Sequence, residues 1–248
     1  MQAGSVQKAS LYVFLGMLCI SINDLFVKQF SKNYPLHEII FIRSLIAILF
    51  TLLLVKSEGG LKILKTQKPI QHALRAVAIF LCNMIFFSAI ATLPLATATA
   101  LFFVAPIFIT LLSIPLLGEK VGIRRLLAVI TGFLGVFIMM KPNTWSMSDI
   151  PPFIYFLPVI AAVLYALMQI MTRKLSKSSK PAALAFYIQL AFMVFSLIFG
   201  LIFGDGKLAD VSSNTSLQFI LKGWTFPKTS DLPYFFALGF LAAGVSYF

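Results

Sequence analysis

Charge is what this sequence has least of. Only 11% of its 248 residues are Asp, Glu, Lys or Arg, while 60% are hydrophobic and mean hydropathy is +0.96. A water-soluble domain carries about a quarter charged residues and less than half apolar ones. Too few charges remain here to cover a soluble fold, so the chain reads as a polytopic integral membrane protein. Acidic residues are scarcer still, 8 against 20 basic, for a net charge of +12. That excess does not make a nucleic-acid binder. The cations sit in short clusters between apolar runs, as in the loops of a membrane protein.

Other absences narrow the chemistry. There are two cysteines, Cys19 and Cys82, both inside apolar runs, which excludes a disulfide framework. The two histidines, His37 and His72, stand at span ends and read as interfacial. They share no metal-ligand spacing with each other or with the cysteines. No nucleophile and base fall at one membrane depth, so an enzyme is not expected. The stretch SEGGL, Ser57 to Leu61, lacks the Lys-Ser/Thr of a phosphate loop, so an ATPase is not expected either. No cofactor or metal is implied. The apolar run after Lys8 leads into Ile22-Asn23-Asp24 rather than a small-residue cleavage site, so no cleavable leader is expected.

What the chain does have is long apolar runs. A helix needs about 20 apolar residues to cross the hydrocarbon core. The candidates are Ala9 to Gln29, His37 to Val55, His72 to Thr92, Leu95 to Leu117, Ile123 to Lys141, Pro152 to Thr172 and Ala182 to Gly204, with an eighth from Leu232 to Phe248. Barrel strands would alternate and be shorter. Pro94, Pro106 and Pro115 are expected to kink or break the fourth span. Small residues from Ala96 to Ala100 allow close helix approach there.

With the N-terminus taken as cytoplasmic, inside loops hold 13 cations, among them Lys56, Lys62, Arg75, Arg124, Arg173 and Lys180. Outside loops hold 6, Lys28 and Lys32 among them, and Arg43 is intramembrane. The bias favours that orientation. The segment from Asp205 to Asp231 is then an outside loop, polar and without a regular pattern. Its Asn214-Thr215-Ser216 match to a glycosylation acceptor is read as chance.

KQFSK, Lys28 to Lys32, is echoed by RKLSK, Arg173 to Lys177, and each is followed by a proline-started run at Pro35 or Pro181. At that offset of 145 Asp24 falls on Gln169, and with one residue inserted in the connection Pro35 falls on Pro181 and Arg43 on Gln189. Five spans separate the copies, and an odd number inverts the second. Inverted repeats of this kind are a transporter feature.

Several stretches together resemble the EamA-like members of the drug/metabolite transporter superfamily. They are SINDLFVK, FIRSLIAI (Phe41 to Ile48), HALRAVAIF (His72 to Phe80), LPLATATALFFVAPIF (Leu93 to Phe108), LLGEK (Leu116 to Lys120) and GFLGVFIMMKP (Gly132 to Pro142). Within that family the combination is most similar to bacterial S-adenosylmethionine uptake transporters, with riboflavin carriers near by. The resemblance implies an all-α membrane fold of ten spans in two inverted five-helix halves around a central cavity. Residues 1–145 would be the first half and 146–248 an incomplete second half of three spans. The last run stops at Ser246-Tyr247-Phe248 without a flanking charge, which reads as truncation. The implied function is alternating-access transport of a small organic metabolite across the inner membrane, with S-adenosylmethionine as first candidate. Riboflavin, amino acids or drugs are the alternatives, as is a truncated, non-transporting remnant. The partners are a small-molecule substrate and the lipid bilayer.

Polar residues inside the runs supply the candidate site. Asp24 and Arg43 lie at similar depth on spans joined by a short connection. An unpaired charge at the bilayer centre costs about 2.5 to 3.5 kcal/mol, so the two are expected to meet. Asn23, Asn83, Gln169 and Gln189 are candidates for the same cavity, each also able to bond between helices. Tyr165, with some of the 26 phenylalanines, is a candidate for an aromatic cage around a sulfonium.

Overall fold

The computed structural model describes residues 3–119, 122–140, 150–207, 209 and 215–247. All regular structure among them is helical: α1 (Ala3–Phe30), α2 (Leu36–Glu58), α3 (Pro69–Thr92), α4 (Leu95–Phe102), α5 (Ala105–Leu117), α6 (Ile123–Met140), α7 (Pro152–Leu175), α8 (Pro181–Phe203), α9 (Thr215–Leu221) and α10 (Leu232–Tyr247). Short 3-10 turns cover Leu61–Leu64 and Thr229–Asp231. Six helical stretches among the described residues are long and apolar enough to cross a membrane: Ser10–Phe30, Leu36–Glu58, Pro69–Thr92, Leu95–Leu117, Phe153–Leu175 and Pro181–Phe203. The remaining two expected runs form helices of 18 and 16 residues, α6 and α10. The expected boundary between halves near residue 145, and Asn214 of the acceptor match, lie outside the described residues.

Local chemistry sets the ends. Proline stands in the first turn of α3, α7 and α8, where its missing N–H leaves no intrahelical bond unmade. Helix α2 stops at Gly59 and Gly60, both at positive φ, 136° and 74°, with the Gly60 N–H bonded to the Val55 carbonyl. That is the role of the SEGGL stretch. The fourth run is broken at Pro106 alone of its three expected prolines: Pro94 stands before α4 as its N-cap, and α5 runs on through Pro115. Pro106 cannot donate to Phe102, and the chain tightens through Phe103 and Val104, where Val104 N bonds the Leu101 carbonyl at 3.4 Å.

The connections sort to two ends. At the first, Tyr34 meets Asp231 and Lys222 Nζ reaches the Asn33 carbonyl at 3.0 Å. At the second, Lys180 Nζ donates to the Glu58 carbonyl, Tyr187 to the Leu64 carbonyl, and the Ala182 N–H to Glu58 Oε2 at 3.2 Å. Between them α2 packs along α8, α3 along α7, and α10 against both α1 and α2, while α3 also touches α8. This neighbour pattern survives exchanging α1 with α7, α2 with α8 and α3 with α10. Under that exchange the α3–α7 pair becomes α10–α1, and α10–α2 becomes α3–α8.

Three expectations change here. In the segment from Asp205 to Asp231, expected to be irregular, the described residues form α9 and a 3-10 turn, and those from Lys222 to Asp231 are strapped over the first end. The Trp224 ring sits 5.4 Å from that of His37 and 5.5 Å from that of Phe41, against Gly200 and Gly204, where any Cβ would strike the indole. Glu38, only 1% exposed, accepts from Thr225 N at 3.0 Å. Secondly, Lys28 is not a loop cation but lies in the last turn of α1, donating to the Ile90 and Leu93 carbonyls at the end of α3. A cation suits those unpaired carbonyls. Thirdly, His37 and His72 are buried rather than interfacial, because the strap and the Ser176–Lys180 turn cover them.

Tyr34 ties the strap down. Its hydroxyl donates to Asp231 Oδ2 at 2.5 Å and accepts from Lys228 N at 3.0 Å. Burial, then the bond to Asp231, hold the phenol above its ordinary value of 10.0. The unfolded chain therefore loses this proton first, and the stabilisation falls away as pH rises from about 10 through the raised folded value. Replacing Tyr34 by phenylalanine costs about 1 to 3 kcal/mol and reduces that alkaline loss. Thermal melting of the two chains between neutral pH and pH 11 checks both effects.

Candidate functional site

Four helices bring the site together. Arg43 is on α2, one turn below the strap, and is 4% exposed. Its Nη1 donates to Asn23 Oδ1 on α1 at 3.1 Å, and its Nη2 to Asn83 Oδ1 on α3 at 3.3 Å. Each amide is oriented by its own other bond. Asn83 Nδ2 donates back to the Ile79 carbonyl at 3.0 Å, and Asn23 Nδ2 donates to Asp24 Oδ1 at 3.2 Å. Both carbonyl oxygens are thereby turned toward the guanidinium.

The expected Asp24–Arg43 contact is replaced by a relay. No carboxylate lies within 4.0 Å of Arg43 among the described residues, and Asn23 stands between the two charges. The reason is register: Asn23 rather than Asp24 is the buried residue of the pair on α1, while Asp24 is half-buried at the edge. The guanidinium is enclosed by rings instead. Its Cζ is 5.6 Å from the Phe87 centroid on α3 and 5.3 Å from that of Phe192 on α8. Such contacts contribute about 0.5 to 2 kcal/mol each. Arg43 Nε is buried with no acceptor.

From Phe87 an aromatic line continues through Phe86 at 5.8 Å and Phe102 at 5.0 Å to Tyr165 on α7 at 5.4 Å. Phe102 is the last residue of α4, so the line ends where the fourth run breaks. Gln169 joins it by donating from Nε2 to the Tyr165 hydroxyl at 2.6 Å, within its own helix. Gln189 binds elsewhere. Its Nε2 reaches the Ala242 carbonyl at 2.9 Å and Ser246 Oγ at 2.7 Å on α10, and its Oε1 is buried without a partner. Arg43 thus holds α2 to α3 and Gln189 holds α8 to α10, as the helix exchange requires.

Arg75, read as a loop cation from the charge count, is instead buried on α3 at 3% exposure. Its Nε donates to Thr172 Oγ1 at 2.7 Å and its Nη1 to the Leu184 carbonyl at 3.1 Å. The signal was in the sequence: Arg75 stands inside HALRAVAIF with apolar neighbours on both sides. Glu38 and Trp224 were also missed, since their role depends on the strap folding back.

Comparison with known proteins agrees with this architecture. The profile described as the EamA-like transporter family matches residues 7–141. The chain is 25% identical over 237 residues to the S-adenosylmethionine uptake transporter of Rickettsia prowazekii, covering 96% of this chain and 72% of that protein. It is 27% identical over 186 residues to the protein of the same name from Rickettsia felis, covering 75% and 62%. It is also 32% identical over 170 residues to the riboflavin transporter of Vibrio cholerae, covering 67% and 55%. The chain thus spans between about half and three quarters of the length of these relatives. No solved structure matches it. With the family profile covering more than half of a multi-span helical chain, this protein belongs to the EamA-like transporter family.

Proposed function

We propose that this chain carries a small organic metabolite across the inner membrane by alternating access, with its N-terminus cytoplasmic and S-adenosylmethionine as the substrate to test first. Residues 1–145 and 146–248 would be its two inverted halves. The observation that carries the reading is Arg43: a buried cation in a membrane span, bonded to two neutral amides and two ring faces. Intramembrane charges of this kind mark substrate pathways. The neighbour pattern under helix exchange supports the inverted halves, and the broken α4–α5 run supports a site at midmembrane depth. The cation-rich turns gathered at the second end support the orientation.

In this mechanism Arg43 receives the anionic group of the substrate through Nε, and Asp24 receives a cationic group at the edge of the same pocket. Asn23 keeps the two charges from neutralising each other when the site is empty. Phe86, Phe87, Phe102 and Tyr165 offer ring faces to a sulfonium, and Gln169 orients the Tyr165 hydroxyl. Gln189 acts as the packing counterpart of Arg43 on α8. The helix-exchange pattern would let the substrate see the pocket from either end.

The higher identity of the riboflavin relative favours a second reading, in which the same rings stack on a flavin. Uptake of radiolabelled S-adenosylmethionine and of riboflavin by proteoliposomes holding the chain tests both. Saturable S-adenosylmethionine uptake supports the first reading, riboflavin uptake alone the second, and uptake of neither removes both. Asp24→Asn keeps the Asn23 contact but removes the charge. For a cationic substrate KM rises about tenfold or more, which corresponds to at least about 1.4 kcal/mol of lost interaction. An unchanged KM would take Asp24 out of the site.

A further inference from the structure

Two arginines are buried in the membrane spans with neutral oxygens as their hydrogen-bond partners. Arg43 lies seven residues into α2 from the first end, and Arg75 six residues into α3 from the second. At 1.5 Å per residue each is about 10 Å from its own end. Both face α8. Arg43 stacks on Phe192, and Arg75 bonds the Leu184 carbonyl, eight residues and about 12 Å along that helix. Gln189 stands between these positions with Oε1 buried and unpartnered.

The surroundings of Arg75 are built to hold a cation without neutralising it. Thr172 Oγ1 is itself tied to the Met168 carbonyl at 2.8 Å, so its lone pair is aimed at Arg75 Nε. No carboxylate lies within 4.0 Å among the described residues. One turn toward the second end is His72, its ring tilted 42° and 4.5 Å from that of Tyr187, with Nε2 3.3 Å from Ser179 Oγ and Nδ1 buried without a partner. A guanidinium buried without a carboxylate costs several kcal/mol, which an anion visiting it would offset.

Resting on the carrier reading above, we infer that Arg75 is a second carboxylate-binding station near the second end, which receives the acid group of the substrate from Arg43. A single positive charge at each station matches one negative charge, which selects a carboxylate over a phosphate dianion. The spare N–H groups of the guanidinium supply the contact, since Nε and Nη1 are already used.

The test follows Arg75 itself. The full chain in lipid nanodiscs is treated with phenylglyoxal, and the adduct at Arg75 is measured by peptide mass spectrometry. S-adenosylmethionine, its decarboxylated analogue and acetate are the added probes. At about ten times its dissociation constant, a ligand seated on Arg75 slows the adduct about tenfold. Acetate and S-adenosylmethionine are expected to do so, while the decarboxylated analogue leaves the rate unchanged. In Arg43→Gln the acetate effect at Arg75 persists, which places it at a separate station. Protection by acetate without protection by S-adenosylmethionine upholds the station and removes that metabolite from the proposed function. Equal protection by the decarboxylated analogue, absence of acetate protection, or an Arg75 inert to the reagent under every condition overturns the inference.

Discussion

Replacing Arg43 by glutamine reduces substrate uptake about a hundredfold or more while leaving the melting temperature unchanged or higher. Both effects depend on what the guanidinium does when the site is empty. Its two hydrogen bonds go to neutral amides, Asn23 and Asn83, and its faces to Phe87 and Phe192. A glutamine side chain keeps a donor within this neutral setting and removes a charge that is costly to bury. Folding therefore gains or breaks even. A charged hydrogen bond to the substrate, in contrast, is worth about 1.5 to 3 kcal/mol, and Arg43 Nε would make one. Loss of uptake together with a lower melting temperature would mean that Arg43 only fastens α1, α2 and α3.

Substituting valine for Gly239 has the largest expected effect on the fold. At this position α10 crosses α2 so closely that an added Cβ would lie 2.4 Å from Ile46 Cγ2, 2.5 Å from Ile46 Cβ and 3.0 Å from the Arg43 carbonyl. Ile46 Cβ is fixed to the backbone, so a rotamer change cannot make room. The helices must separate, at a cost of about 1 to 3 kcal/mol or more. Because the strike falls on the Arg43 peptide, the site is displaced with the packing. Melting in detergent should drop by several degrees and uptake should fall together with it. A Gly239→Val chain with wild-type melting would show that α10 and α2 do not meet at this point.

Span boundaries were legible because hydrophobic length and proline position are local properties. Pro152 and Pro181 begin their helices, and Pro106 breaks its run, for reasons written within a few residues, whereas α3 starts at Pro69, three residues before the expected His72. The pairing of Asp24 with Arg43 was less legible. Depth along a helix follows from counting, whereas rotation about its axis decides whether Asn23 or Asp24 faces inward. The two are adjacent, and a rotation of about 100° separates them. Arg75 was misplaced for a different reason. Counting cations between apolar runs assigns a charge near a span end to a loop, and only the packing of α3 on α7 and α8 buries it. The strap shows the same limit. Nothing local in Asp205 to Asp231 states that Glu38, 187 residues before Thr225, will receive its N–H.

Transport of this kind needs Arg43 to keep its charge free for a substrate. The most direct measurement is equilibrium binding of S-adenosylmethionine to the full chain in nanodiscs, comparing wild type with Arg43→Gln at matched folding. The account predicts saturable binding by the wild type, weakened about a hundredfold or more in the variant, with melting preserved. Equal affinity in the two chains would contradict it.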